Sequence, residues 1–182
     1  MALLPFSHPF TCIVSGPTGC GKTSFVLRLV DNVDSVIAPP PDKIFYYFTE
    51  YQSIFDRYPH VTFRQGVPKS DEIEDMHDAL VILDDMMTEA DQKILNIFTR
   101  GSHHREISVI FMVQNFFNKN KHMRTISLNA QYIVLFKNPR EHTYFRVNNR
   151  SFTCRNESTH ASIFAHTEKK SLAWATWRDA VI

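Results

Sequence analysis

Three of the chain's five glycines, Gly16, Gly19 and Gly21, fall within six consecutive residues, and none occurs after Gly101. A chain that concentrates its glycine in one short stretch needs unusual backbone geometry there, because only glycine enters left-handed conformations without steric cost. An apolar, β-prone run, Phe10 to Val14, precedes the cluster. After it, Phe25, Val26, Leu29, Val30 and Val33 recur at helical spacing. The unit therefore reads as strand, glycine loop, helix.

The loop itself, Gly16-Pro17-Thr18-Gly19-Cys20-Gly21-Lys22-Thr23, fits G-x-x-x-x-G-K-[ST] completely. Its glycines let backbone N–H groups turn inward around a phosphate. The following helix aims its N-terminus at the same anion. Lys22 is expected to reach the β- and γ-phosphates, and the Thr23 hydroxyl to ligate Mg²⁺. The cofactor-binding set runs from Gly16 to Thr23 and includes Ser24, and the implied ligands are ATP and Mg²⁺.

Further along, Leu80-Val81-Ile82-Leu83 is an apolar run ending in Asp84 and Asp85. A continuous apolar run suits a strand buried on both faces of a parallel sheet. In such a sheet the acids and the glycine loop emerge at the same carboxyl edge, where ligands bind. Asp84 is expected to hold the metal, and Asp85 to orient and activate the attacking water. A third strand, Ser108 to Val113, ends in Gln114-Asn115, and Gln114 can contact both the water and the γ-phosphate. This sensor strand is expected to lie between the phosphate-loop and acidic strands.

The remaining elements alternate. Asp34 to Pro41 reads as a loop, Ile44 to Phe48 as a strand, Gln52 to Tyr58 as a short helix and Val61 to Phe63 as a brief strand. Ser70-Asp71-Glu72 opens a helix, Thr88 and Asp91 resemble a capping box before Ile94, Leu95, Ile97 and Phe98, and Tyr132 to Phe136 is another buried strand. Strands alternating with helices point to a parallel sheet covered on both sides.

Composition removes other classes. Lys+Arg 20 against Asp+Glu 19 gives a formal charge of +1, so whole-chain charge does not announce a nucleic-acid binder. Cys12, Cys20 and Cys154 form no C-x-x-C pair, which argues against a disulfide framework or a thiolate zinc site. Apolar runs fall well short of a membrane-spanning length, and MALLPFSHPF lacks a basic leader, so neither a membrane nor a secretory route is expected.

The strings SGPTGCGKTSF, LVILDDMM, FTRGSHHREISVIFMVQNFF and MRTISLNAQYIVLFKNPRE, in this order, closely resemble the packaging ATPases of large double-stranded DNA viruses. The nearest branch is that of Polinton-type elements, adintovirus-like viruses and virophages, akin to the poxvirus packaging ATPase. It belongs to the wider group of ring ATPases of the bacterial chromosome translocase type. The resemblance covers about residues 10–141. It implies an α/β, three-layer P-loop NTPase with a mainly parallel central sheet, of the additional-strand, RecA/translocase-like type. It also implies a homo-oligomeric ring that uses ATP to drive double-stranded DNA into a capsid, with a capsid or portal protein as partner, inside a virus-infected cell. Gln114 is implied as the polar sensor. An arginine is implied to complete a neighbour's site, with Arg100, Arg105 and Arg124 as candidates. Arg124 is preferred because Arg-Thr-Ile-Ser follows the sensor strand in a polar loop that could face a neighbour.

After about Glu141 the chain departs from that pattern. Residues 1–141 therefore read as the NTPase domain. Residues 142–182 read as a divergent or truncated tail that could pack on the same domain, with Ala161, Ile163 and Phe164 and then Leu172, Trp174 and Trp177 as its apolar content. His103-His104 lack a third ligand at suitable spacing for a metal. Lys119, Lys121, His122 and Arg124, beside Phe116-Phe117, form the densest basic stretch and could touch DNA phosphates. Two other functions fit a phosphate loop: a small-substrate kinase, or a nucleotide-binding subunit that no longer hydrolyses ATP. A guanine-specific switch is disfavoured because no Asn-Lys-x-Asp string is present.

Overall fold

The computed structural model describes residues 6–86, 91–98, 106–115, 121–136, 144–147, 150–153, 161–165 and 175–176. In chain order the first elements are β1 (Phe6–Ser7), β2 (Thr11–Ser15), α1 (Lys22–Asp31), α2 (Val33–Val36), β3 (Ile37–Ala38) and β4 (Lys43–Phe48). A 3-10 turn (Ser53–Arg57), β5 (Thr62–Gln65), α3 (Ser70–Glu74), β6 (Ala79–Asp84), α4 (Asp91–Asn96) and β7 (Ile107–Val113) follow. The last are α5 (Lys121–Asn129), β8 (Tyr132–Phe136), β9 (Tyr144–Val147), β10 (Arg150–Thr153), β11 (Ala161–Ala165) and β12 (Ala175–Thr176).

Eight strands form the central sheet in the order β12-β11-β8-β2-β7-β6-β4-β5. The six from β8 to β5 are parallel, and β11 and β12 extend the β8 edge antiparallel. β7 lies between the phosphate-loop strand β2 and the acidic strand β6, as expected from sequence. The six-stranded parallel core explains the apolar runs: residues of one strand alternate between two buried cores.

On the α1 face, Val14, Ile82, Met112 and Val134 pack with Phe25, Val26, Leu29 and Val30. On the opposite face, Ile13, Leu83, Phe111 and Ile133 pack with Ile94, Ile97, Met123 and Ile126 of the α4 and α5 region. Each fully buried side chain of this size contributes about 1.5–3 kcal/mol of transfer free energy. The result is three layers, helix on sheet on helix.

The N-terminal edge of the sheet is tied by polar groups. Ser108, fully buried in β7, accepts the Phe10 N–H at 3.0 Å and lies 2.6 Å from His8 Nδ1. His8 Nε2 sits 3.1 Å from Asp78 Oδ1, outside hydrogen-bonding angles. This explains how a polar Ser108 is tolerated inside an otherwise apolar strand.

Several local expectations need correction. Asp34 to Pro41 is not wholly loop: α2 and β3 occupy its first half, with Ile37 buried in the α1-face core. The expected helix at Gln52 to Tyr58 is a 3-10 turn whose Phe55 stacks on Phe63 at 4.5 Å. Arg124 and its neighbours form helix rather than a polar loop, because Met123, Ile126 and Ala130 bury one stripe against the α4 region. Thr88, the expected helix cap, lies outside the described residues, as do Arg100, His103, His104, Arg105, Phe116, Phe117 and Lys119.

Candidate functional site: a phosphate loop facing an acidic strand

The phosphate loop joins the end of β2 to the start of α1. Gly19 and Gly21 take φ of +77° and +98°, the left-handed region that a Cβ penalises. Gly16 is required for a different reason. A Cβ there would lie 2.5 Å from Phe136 Cβ and 2.7 Å from Cys20 Sγ, so the side chain of β8's last residue closes the loop from beneath. Lys22 turns back over the loop and donates to the carbonyl oxygens of Gly16 at 2.6 Å and Pro17 at 3.1 Å. Its ammonium thus already sits across the cradle. Pro17 to Ser24 complete the loop and first helical turn, with Thr18 and Gly19 exposed.

β7 locks the two halves of the site together. Its Val113 carbonyl accepts the Gly16 N–H at 3.1 Å, and its Met112 carbonyl accepts the Asp85 N–H at 3.2 Å. In register terms, Ser15 pairs with Val113 and Asp84 with Met112. The phosphate loop and the acidic pair therefore flank a single strand. Lys22 is close enough to Asp84 to favour its charged form.

The two acids occupy different environments. Asp84 is buried on the α1 face, the side of the sheet on which Lys22 and Thr23 open the helix. Burial pushes its carboxyl above the usual range. The Tyr46 hydrogen bond opposes that, the Asp85 charge adds to it, and Lys22 opposes it. Tyr46 Oη donates to Asp84 Oδ2 at 2.7 Å, and among the described residues no donor engages Oδ1. Asp85 takes φ +53°, an uncommon backbone for a residue with a side chain, and is half-buried. The Gln114 side-chain amide donates to Asp85 Oδ2.

Thr23 and Asp84 present hydroxyl and carboxylate oxygens, the donor chemistry that Mg²⁺ takes together with phosphate and water oxygens. A buried carboxylate whose Oδ1 no described donor engages fits a hard cation. No cluster of three or more His, Cys, Asp or Glu side chains suited to a metal occurs among the described residues, so the phosphates would have to supply much of the coordination.

Sequence-derived Gly16 to Thr23, Asp84, Asp85 and Gln114 thus converge at one sheet edge. Arg124 does not join them by any described contact: it is exposed on α5. Tyr46 went unnoticed in the sequence, because an aromatic in the run Ile44 to Phe48 reads as core. Only the register of β4 against β6 places its hydroxyl at Asp84.

The glycine loop, the helix it opens, and an acidic strand reached across one intervening strand define a P-loop NTPase of the three-layer, RecA-like type. Solved structures share this fold. The flagellar accessory protein FlaH from Methanocaldococcus jannaschii aligns with TM-score 0.54 and 11% identity over 93% of this chain and 91% of that one. A KaiC-like protein from Pyrococcus horikoshii aligns with TM-score 0.54 and 10% identity over 94% of this chain and 84% of that one. A genome packaging NTPase from Sulfolobus turreted icosahedral virus 2, in complex with AMPPCP, aligns at TM-score 0.45 and 13% identity over 78% of this chain and 77% of that one. At these identities the two alignments at TM-score 0.54 show a likeness of fold alone. No family model and no curated protein matches the chain. No helix among the described residues is long and apolar enough to cross a membrane.

Proposed function

We propose that the chain is an ATP-binding, ATP-hydrolysing subunit of a homo-oligomeric ring motor that moves double-stranded DNA into a capsid. The observation that carries the hydrolytic part is the Gln114–Asp85 hydrogen bond one strand away from the phosphate loop. A kinase needs an acceptor pocket. A hydrolase needs a base and a polar group that senses the γ-phosphate, and this pair supplies both roles.

In this reading, backbone N–H groups of Gly16 to Thr23 and the N-terminus of α1 hold the phosphates. Lys22 exchanges its contacts with the Gly16 and Pro17 carbonyls for β- and γ-phosphate oxygens, with Ser24 in the same first helical turn. Thr23 and Asp84 would hold Mg²⁺, which when bound neutralises charge on the phosphate oxygens. Asp85, fixed at its backbone by Met112 and at its carboxylate by Gln114, takes the proton of the attacking water. Loss of the γ-phosphate frees Gln114 to change partners and so report hydrolysis.

The DNA-moving part rests on the sequence resemblance to viral packaging ATPases. An exposed Arg124 on the molecule's outer helix is accessible to a neighbouring subunit, as a charge-stabilising finger requires. A capsid or portal protein as partner, and action inside a virus-infected cell, follow from the same resemblance. So does the reading of 1–141 as the NTPase unit with 142–182 as its tail, although β11 and β12 of that tail pair onto the β8 edge of the same sheet.

The test is phosphate release from ATP with and without double-stranded DNA. The motor reading expects Mg²⁺-dependent release that DNA stimulates. Phosphate transfer to an added nucleoside would instead establish a kinase. Tight ATP binding without release, in an assembled ring, would establish an inactive subunit.

A further inference from the structure

Tyr46 is fully buried, and a buried phenol keeps its hydroxyl satisfied. Two acceptors are in reach: Asp84 Oδ2 at 2.7 Å and Met112 Sδ at 3.7 Å. A thioether is a weak acceptor, so the proton goes to the carboxylate. The ring cannot swing away, because it packs against Phe55 at 5.1 Å and Phe63 at 5.3 Å. One hydroxyl from a third strand, β4, therefore holds the carboxylate assigned to the metal.

We infer that Tyr46 is a positioning residue for the cation site: its hydroxyl occupies Asp84 Oδ2 and leaves Asp84 Oδ1 for a divalent cation. This rests on the reading of the phosphate loop as a Mg²⁺–nucleotide site. The chemical reason is selectivity among lone pairs. A carboxylate free to rotate in a dry site can offer either oxygen, or both, to a metal. A carboxylate with one oxygen held offers a single directed ligand. Phenylalanine would fill the same space among Phe55 and Phe63, so packing does not account for the hydroxyl.

The experiment uses the full chain and a fluorescent ADP analogue, with affinity measured in EDTA and in saturating Mg²⁺. The ratio of the two affinities isolates the cation's contribution. Tyr46→Phe is expected to leave the EDTA affinity within about two-fold of wild type while the Mg²⁺ ratio falls about ten-fold or more. A wild-type ratio in Tyr46→Phe overturns the inference, and so does an equal loss in EDTA and Mg²⁺, which would mark a general packing defect.

A second comparison removes the charge whose loss of a donor could itself unfold the single variant. If Tyr46 acts through Asp84, then Asp84→Asn and Asp84→Asn/Tyr46→Phe have the same Mg²⁺ ratio. A further several-fold drop in the double variant overturns the inference. Failure of the wild-type chain to bind the analogue in either buffer overturns the nucleotide-site reading and this one with it. Binding with an intact Mg²⁺ ratio in Tyr46→Phe overturns this one alone.

Discussion

The Gln114 side chain donates to the Asp85 carboxylate, joining the residue after β7 to the residue after β6. The acceptor's own backbone is pinned to Met112 of the same β7. Asp85 is thus held at both ends by one strand, the strand that also anchors Gly16. Any event at the phosphate loop that shifts β7's end would therefore reach the Asp85 carboxylate.

That coupling separates binding from turnover. Asp85→Ala is expected to spare nucleotide binding and to lower turnover about 10²–10⁴-fold, the usual contribution of a positioned base. Lys22→Ala is expected to abolish the nucleotide-dependent rise in melting temperature. Calorimetry and steady-state phosphate release check both. Intact turnover in Asp85→Ala would assign the base elsewhere.

Gln114→Ala should leave nucleotide affinity within a few-fold and reduce turnover about 10²-fold, since it removes a donor that orients the reacting groups. Single-turnover kinetics distinguish this from slowed product release. A variant with wild-type single-turnover rates would reduce Gln114 to a strand-end amide.

Gly16→Ala introduces a Cβ 2.5 Å from Phe136 Cβ, an atom too close to the backbone to yield by rotamer change. The expected cost is about 1–3 kcal/mol of stability, typical of overpacking, together with weakened nucleotide binding. Chemical denaturation and the fluorescent-analogue titration measure the two effects.

Ser108→Ala acts at the opposite end of β7. It leaves the Phe10 N–H and the buried His8 ring without their hydrogen-bond partner, at an expected cost of about 1–3 kcal/mol. Nucleotide affinity at the far edge should be unchanged in the folded protein. Denaturant melts and nucleotide titration on the same preparation test the separation.

Alkali probes the two central tyrosines. Burial pushes both Tyr46 and Tyr47 up, with the nearby carboxylates Asp84 and Glu72 adding to it, and Tyr47 reaches about 12 from an ordinary 10.0. A phenol with a raised folded pKa contributes stability that is full below the unfolded value and is lost as pH rises through the folded one. Melting temperature should therefore fall between about pH 10 and pH 12, and Tyr47→Phe should flatten that fall. Melts across this range, with tyrosinate absorbance, give the comparison.

Much of this molecule is legible in one dimension. The runs Leu80 to Leu83, Val109 to Val113 and Tyr132 to Phe136 announce central strands because both faces of each are buried, so no polar residue interrupts them. The eight-residue motif announces its loop because its glycines and lysine act within a few bonds of one another. β7 begins at Ile107, one residue before the Ser108 start read from sequence, and His8 and Phe10 satisfy Ser108 inside it from 98 or more residues away. α5 replaces an expected loop because Met123 and Ile126 gain a buried partner surface on the α4 region, which outweighs a polar local sequence.

Local patterning thus decides strands, loop chemistry and the identity of the acids, since backbone sterics and face-by-face burial operate over a few residues. Pairing Tyr46 with Asp84, Gln114 with Asp85 and Gly16 with Phe136 belongs to the packed chain alone. Each depends on strand order and register, which are set by how two cores fill on either side of the sheet and not by any neighbour in sequence.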